Sequence, residues 1–140
     1  MVLFYNKKHY VPLVDFINNF YNPDFYITEN NQRFIVKDYK TLSKLLKKCY
    51  KILICEEDSE VKGLLAIWKA IGGDKKRYYL KINAKDEDIC EKLITVLLWN
   101  SNNEFFIKIN KESSFIRILM NKGFKFFHGR GREILLRRAE

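Results

Sequence analysis

Apolar and polar positions along the 140 residues alternate between two periods, and the switches between them mark the elements. Residues 2–5 alternate weakly, in the manner of a short strand. Val11-Pro12 then looks like a helix start, since proline suits the first helical turn, and Leu13, Phe16, Ile17 and Phe20 follow on one face until Asn22-Pro23 ends the pattern. From Phe25 to Val36 two patterns fit equally: a strand–turn–strand around Glu29-Asn30-Asn31-Gln32, and a loop carrying aromatic anchors. A second amphipathic helix runs from Asp38, with Leu42, Leu45, Leu46 and Cys49 inward and its lysines outward.

Ile52–Cys55 and Val61–Trp68 read as a hairpin around the polar turn 56–60, and Gly72-Gly73-Asp74 breaks the chain before the next strand, Tyr78–Ile82. A short turn, Asn83–Asp88, leads into a helix whose apolar face is predicted to carry Ile89, Leu93, Val96 and Leu97. After a loop at 100–103 come a strand, Phe105–Ile109, and a helix bearing Phe115, Ile118 and Leu119, which Gly123 closes. Two strands, Phe124–Phe127 and Glu133–Leu136, flank a turn at Gly129-Arg130-Gly131. Hairpins in the middle and helix-linked strands near position 80 give an α+β class, a mixed sheet with helices on both faces in one domain spanning 1–140.

Composition narrows the function classes. A net charge of +9 attracts polyanions, but the lysines and arginines are scattered, with Arg130, Arg132, Arg137 and Arg138 the densest group, so nucleic acid is only weakly indicated. No apolar run approaches the ~20 residues of a membrane span. The N-terminus turns polar at Asn6-Lys7-Lys8, too early for a signal-peptide core, which places the protein in a cytoplasm. Cys49, Cys55 and Cys90 lack metal-ligand spacing, so no metal is expected, and Cys49 reads as core filling. His9 and His128 stand alone beside aromatics. The turn 83–88 sits where a strand feeds a helix, a common phosphate site, yet it has no glycine and holds three acids. Asp86 as an N-cap, with Glu87 and Asp88 favouring the helix dipole, accounts for those acids without any ligand.

Three stretches, CEEDSEVKGLLAI with Gly63 in its second strand, RYYLKINAKDEDICEKLITVLLW, and IKINKESSFIRILMNKGFKFF with its Asn121-Lys122-Gly123-Phe124 ending, resemble the GCN5-related N-acetyltransferase (GNAT) superfamily in this order. The resemblance covers nearly the whole chain and implies transfer of an acetyl or other acyl group from coenzyme A to a small-molecule or peptide amine. It implies a splay between the family's fourth and fifth strands, with the thioester against the main chain of the fourth, here Leu80 and Ile82. The family's Arg/Gln-x-x-Gly-x-Gly/Ala signature falls on Lys85–Cys90, so that Lys85, Asp88, Ile89, Cys90 and also Asn110 are the cofactor-binding candidates. Asp88 stands in the first glycine's place, and a carboxylate about 4 Å from a phosphate costs on the order of 1–4 kcal/mol. Leu119 occupies the position of the family's frequent acid tyrosine; Glu104 and Glu112 are the candidate bases. The competing expectation is a GNAT-fold binding module, for protein or nucleic acid, that has lost the cofactor.

Overall fold

The computed structural model describes residues 1–70, 76–99 and 101–139; the predicted break at Gly72-Gly73-Asp74 lies outside them. Among the described residues nine strands and four α-helices follow one another as β1 (Val2–Phe4), α1 (Tyr10–Asn19), β2 (Tyr26–Glu29), β3 (Gln32–Ile35), α2 (Tyr39–Lys48), β4 (Lys51–Glu57), β5 (Glu60–Lys69), β6 (Arg77–Ala84), α3 (Glu87–Leu98), β7 (Glu104–Asn110), α4 (Phe115–Asn121), β8 (Lys125–Arg130) and β9 (Glu133–Arg138), with a single 3-10 turn at Lys7–His9 before α1. Seven strands form one sheet in the order β1-β4-β5-β6-β7-β9-β8, and β2 and β3 pair separately. The class is α+β, as predicted.

Period-2 strands bury alternate residues on the two sheet faces. Leu65, Ile67, Leu80, Ile82, Ile107 and Leu136 join Ile89, Leu93 and Leu119 of α3 and α4 in one core. Ile52, Ile54, Leu64 and Ala66, from the opposite face, join Leu13, Ile17, Leu42 and Leu45 of α1 and α2 and Phe25 and Ile27 near the β2–β3 hairpin. At α2 the Asp38 carboxylate accepts from the Thr41 amide at 2.9 Å while Thr41 Oγ1 accepts from the Asp38 amide at 3.1 Å, a reciprocal cap where the sequence predicted the start. The α3 face differs from the predicted one: Ile89, Cys90, Leu93 and Ile94 are buried, and Val96 is exposed. That stripe is rotated by about one residue because α3 lies on the sheet with α4 along its flank.

Two tight hairpins replace longer predicted turns. Between β2 and β3, Asn30 and Asn31 have φ of 52° and 63°, and between β4 and β5, Asp58 and Ser59 have 53° and 63°. These are the paired left-handed residues of a type I′ turn, a conformation Asn and Asp tolerate best among residues with a Cβ. Residues 25–36 are thus strand–turn–strand, and Glu56, Glu57 and Glu60 belong to strands rather than to a turn. Near the C-terminus Gly129 and Arg130 lie in β8, opposite Ile134 and Glu133, and Gly131, with φ of 62°, makes the turn. Gly123 closes α4 at φ of 97°, as its sequence position predicts.

Every neighbouring pair in the large sheet is antiparallel except β6 and β7. Their parallel ladder has four pairs, from Arg77↔Glu104 to Leu80↔Ile107, and then stops. Beyond it, Lys81–Ala84 pair only with β5 and Lys108–Asn110 only with β9, so the sheet forks.

Candidate functional site

The fork leaves main-chain groups of β6 beyond Leu80 with no strand on their β7 side, a rare condition inside a sheet. Lys81 and Lys108 are the first residues past the last rung, one on each arm. Alternation puts both on the face opposite Leu80 and Ile107, toward the β2–β3 hairpin. There the Lys81 ammonium nitrogen lies 3.3 Å from the centre of the Tyr26 ring, and the Arg33 guanidinium carbon 4.4 Å from the same centre. Tyr26 Oη donates to Glu133 Oε2 at 2.7 Å and Arg33 Nη2 donates to Glu133 Oε1 at 2.9 Å. The hairpin is therefore tied to β9 beside the fork.

Burial pulls Lys81 down to about 7, helped by Lys108 and Arg33 and opposed by Glu133. Burial acts on Tyr26 in the other sense and, with its bond to Glu133, holds the phenol well above its usual range. Burial alone would raise Glu133, but the Tyr26 hydroxyl and Arg33 outweigh it and keep that carboxyl low. Asn83, two residues beyond Lys81, is 0% exposed; its Oδ1 accepts from Asn22 Nδ2 at 3.3 Å, while its own Nδ2 has no partner among the described residues. The fork thus holds a lysine whose burial pulls it well below the usual range, to about 7, and an unengaged buried donor.

The predicted cofactor residues occupy the other side of the β6 arm. Leu80 and Ile82 turn their side chains into the core, so only their main chains face the gap. Asp86 caps α3, its Oδ1 accepting from the Ile89 amide at 2.9 Å, and the Cys90 amide bonds the Asp86 carbonyl. Of the first-turn amides this leaves those of Glu87 and Asp88 for a ligand or water. The acids of the turn are drawn aside: Glu87 accepts from Arg117 at 3.1 Å, and Asp88, its side chain 74% exposed, pairs with Lys92 at 3.1 Å. Lys85 is exposed, with its amide on the Lys62 carbonyl. Ile89 and Cys90 are buried, and burial pushes the Cys90 thiol up to about 12, so neither side chain is available to a ligand. Asn110 ends β7 on the other arm; its Nδ2 donates to Asp24 at 3.5 Å and its Oδ1 accepts from the Glu112 amide at 2.9 Å.

The candidate bases fall elsewhere. Glu104 begins β7 at the closed end of the fork, 4% exposed, held by Arg137 at 3.1 Å and Arg77 at 3.7 Å. Glu112 is exposed in the turn after β7. Leu119 is fully buried in the α4 core. Lys81, Tyr26 and Glu133 were not singled out from sequence. The signal for Lys81 was a lone cation inside the apolar run YYLKIN; nothing local announced the other two. Arg137 and Arg138, two of the four arginines behind the nucleic-acid expectation, are engaged within the fold, Arg138 Nε donating to the Lys122 carbonyl at 2.8 Å.

Exchanging Asp88 for glycine removes one carboxylate from the α3 entrance while Asp86 keeps the cap. Affinity for coenzyme A is expected to rise about 3–10-fold, in line with relief of one partly screened like-charge contact. Calorimetric titration checks it, and unchanged affinity would mean that this entrance holds no diphosphate.

Among the described residues no three or more His, Cys, Asp or Glu side chains group as for a metal ion, and no helix is long and apolar enough to cross a membrane. No protein-family model matches the chain, and no curated protein matches it in sequence. Solved structures do match its shape. A GNAT-family acetyltransferase from Streptococcus pneumoniae superposes with a TM-score of 0.68 at 10% identity, covering 99% of this chain and 97% of its own. An N-acetyltransferase from Staphylococcus aureus Mu50 gives 0.68 at 14% identity, over 99% and 96%. The PaiA N-acetyltransferase from Thermoplasma acidophilum, solved in complex with coenzyme A, gives 0.64 at 10% identity, over 100% and 98%. The chain has the fold of the GCN5-related N-acetyltransferases.

Proposed function

We propose that this protein is an N-acyltransferase that moves an acetyl or other acyl group from coenzyme A to a primary amine at the fork. The observation that carries the proposal is the end of the β6–β7 ladder at Leu80↔Ile107, directly before a helix with two free first-turn amides. The residues present fit an acyl-CoA on the β6 arm, where unpaired main chain faces the gap. They fit its diphosphate less closely at the glycine-free entrance of α3, where the amides of Glu87 and Asp88 and the Lys85 ammonium are the groups that would hold it. The acyl-CoA, when bound, supplies the thioester whose carbonyl carbon bonds to the amine nitrogen as the carbon–sulfur bond breaks and coenzyme A leaves as the thiol.

The chain's own contribution is position and a proton acceptor. An amine arrives as its ammonium and must lose a proton before its nitrogen can attack. Lys81, neutral about half the time near pH 7 and placed at the crotch of the fork, takes that proton. It returns it to the departing sulfur, and the second proton released from the nitrogen passes to solvent. Tyr26 and Glu133 hold the hairpin over Lys81 and keep it desolvated.

Acetyl-CoA at about 100 times its Kd is expected to stabilise the folded state by about 2.7 kcal/mol, a rise of several degrees in Tm for a chain of this size. Free thiol should appear only when an amine is added. A Tm unmoved by acetyl-CoA, coenzyme A and longer acyl-CoAs at millimolar concentration would reject the proposal.

A further inference from the structure

Beside the β7 arm of the fork, on the hairpin side, β3, β7, β8 and β9 enclose a cavity of about 470 Å³ lined by Arg33, Lys108, His128, Arg130, Glu133 and Leu135 among others; Arg33, Lys108 and Glu133 also act electrostatically on Lys81. Such a volume suits a small molecule. Glu133 is the one carboxylate in this lining, and both its oxygens are engaged, by Tyr26 and by Arg33. No ion pair among the described residues reaches Lys108 or Arg130. Against that one carboxylate, Lys108 from β7, Arg130 from β8 and Arg33 from β3 leave the lining net cationic, with His128 beside them.

These cations do not serve the coenzyme A diphosphate in the proposed site. The free amides of α3 belong to the helix that packs on the face of Leu80 and Ile82, whereas Lys108 lies on the opposite face with Lys81. They also exceed an ordinary solvated surface in arrangement, since they converge from separate elements on one cavity beside the fork instead of repeating along a single helix. A polyamine or lysine-rich acceptor would meet like charge there.

We infer that the acceptor is a small primary amine that also carries an anionic group, a carboxylate or a phosphate, which seats on Lys108 and Arg130 while its amine lies at Lys81. This substrate class rests on the acyl-transfer reading of the fork. Charge-assisted bonds to a carboxylate or phosphate from a guanidinium and an ammonium are among the stronger polar contacts, and they orient the amine as well as hold it.

Titration calorimetry in the presence of coenzyme A tests this with four probes: phosphoethanolamine, 4-aminobutyrate, ethanolamine and 1,4-diaminobutane. The two anionic amines are expected to bind at least about tenfold tighter than ethanolamine, more tightly at low salt, and the diamine weakest. The order of phosphoethanolamine and 4-aminobutyrate tells a phosphate site from a carboxylate site. Lys108→Gln with Arg130→Gln, both exposed positions, should erase the preference while leaving the fold intact and coenzyme A affinity unchanged. Ethanolamine or the diamine binding as tightly as the anionic pair, a preference that survives the double substitution, or no binding of either anionic amine at about 10 mM would each overturn the inference. Coenzyme A binding is read in its own titration. A protein that binds coenzyme A without the preference keeps the transferase reading and loses this one; a preference without coenzyme A affinity does the reverse for the anion site.

Discussion

Replacing Lys81 with methionine is expected to lower kcat for acyl transfer by about 10²–10⁴-fold, the usual worth of a positioned base. Lys81→Arg should do the same, because a guanidinium keeps its charge across the whole working range. The pH profile separates a base from a mere packing role. In the unmodified protein kcat is expected to rise with pH through a limb near 7, where Lys81 would lose its proton, and that limb should disappear in Lys81→Met. The groups that set it are those facing the amine: Tyr26 from β2, Arg33 from β3, Lys108 from β7 and Glu133 from β9.

Lys81→Met is expected to raise stability while it lowers turnover. The folded-state value of Lys81 lies below the unfolded one, so between pH 7 and about 10.5 the unfolded chain holds a proton that the folded chain lacks. Folding is therefore penalised in full below pH 7 and progressively less as pH rises toward 10.5. At about 1.36 kcal/mol per pH unit the penalty is at most about 5 kcal/mol, and solvent access and relaxation bring it to about 2 kcal/mol. Lys81→Met should accordingly melt higher than the unmodified protein at pH 6, with the difference shrinking toward pH 10. A variant that keeps both its turnover and its pH limb would exclude Lys81 as the base.

What sequence made legible was whatever depends on near neighbours. The stripe Leu42, Leu45, the Asp38 start, and Gly123 at its positive φ all act within a few residues, and all stand where the pattern put them. The α3 stripe missed by a residue, since the sheet beneath and α4 beside it decide which flank is covered. The turn acids were readable as a cap and dipole partners, but their cations, Lys92 and Arg117, were not. The fork's inner face was hidden almost entirely. Tyr26 and Glu133 are separated by 107 positions, Asn22 and Asn83 by 61, and Lys81 acquires its chemistry only when the hairpin covers it. Glu104, one of the two candidate bases in the sequence, is enclosed by Arg137 and Arg77 at the closed end of the fork.

Gly63→Ala is expected to destabilise the fold by about 1–3 kcal/mol and to weaken coenzyme A binding at least about tenfold. Gly63 sits in β5 opposite Ala84, where β6 leaves the sheet for α3. A Cβ there would stand 2.7 Å from Ile89 Cγ2, 3.1 Å from the Ala84 Cα and 3.1 Å from the Asn83 carbonyl oxygen. Two of the three are backbone, and Ile89 is a buried β-branched residue with one comfortable rotamer in a helix, so the strain must move the start of α3. The sign of the effect is informative. Without a clash, alanine in a strand would stabilise by about 0.5–1 kcal/mol over glycine, so a lowered Tm reports the contact itself. Ile89→Leu removes the offending methyl from Cβ at constant volume. In a double-mutant cycle it should recover about 1 kcal/mol or more of the loss together with most of the coenzyme A affinity. Additivity within about 0.5 kcal/mol, or full affinity in Gly63→Ala alone, would show that the spacing of β5 against α3 does not set the position of the site.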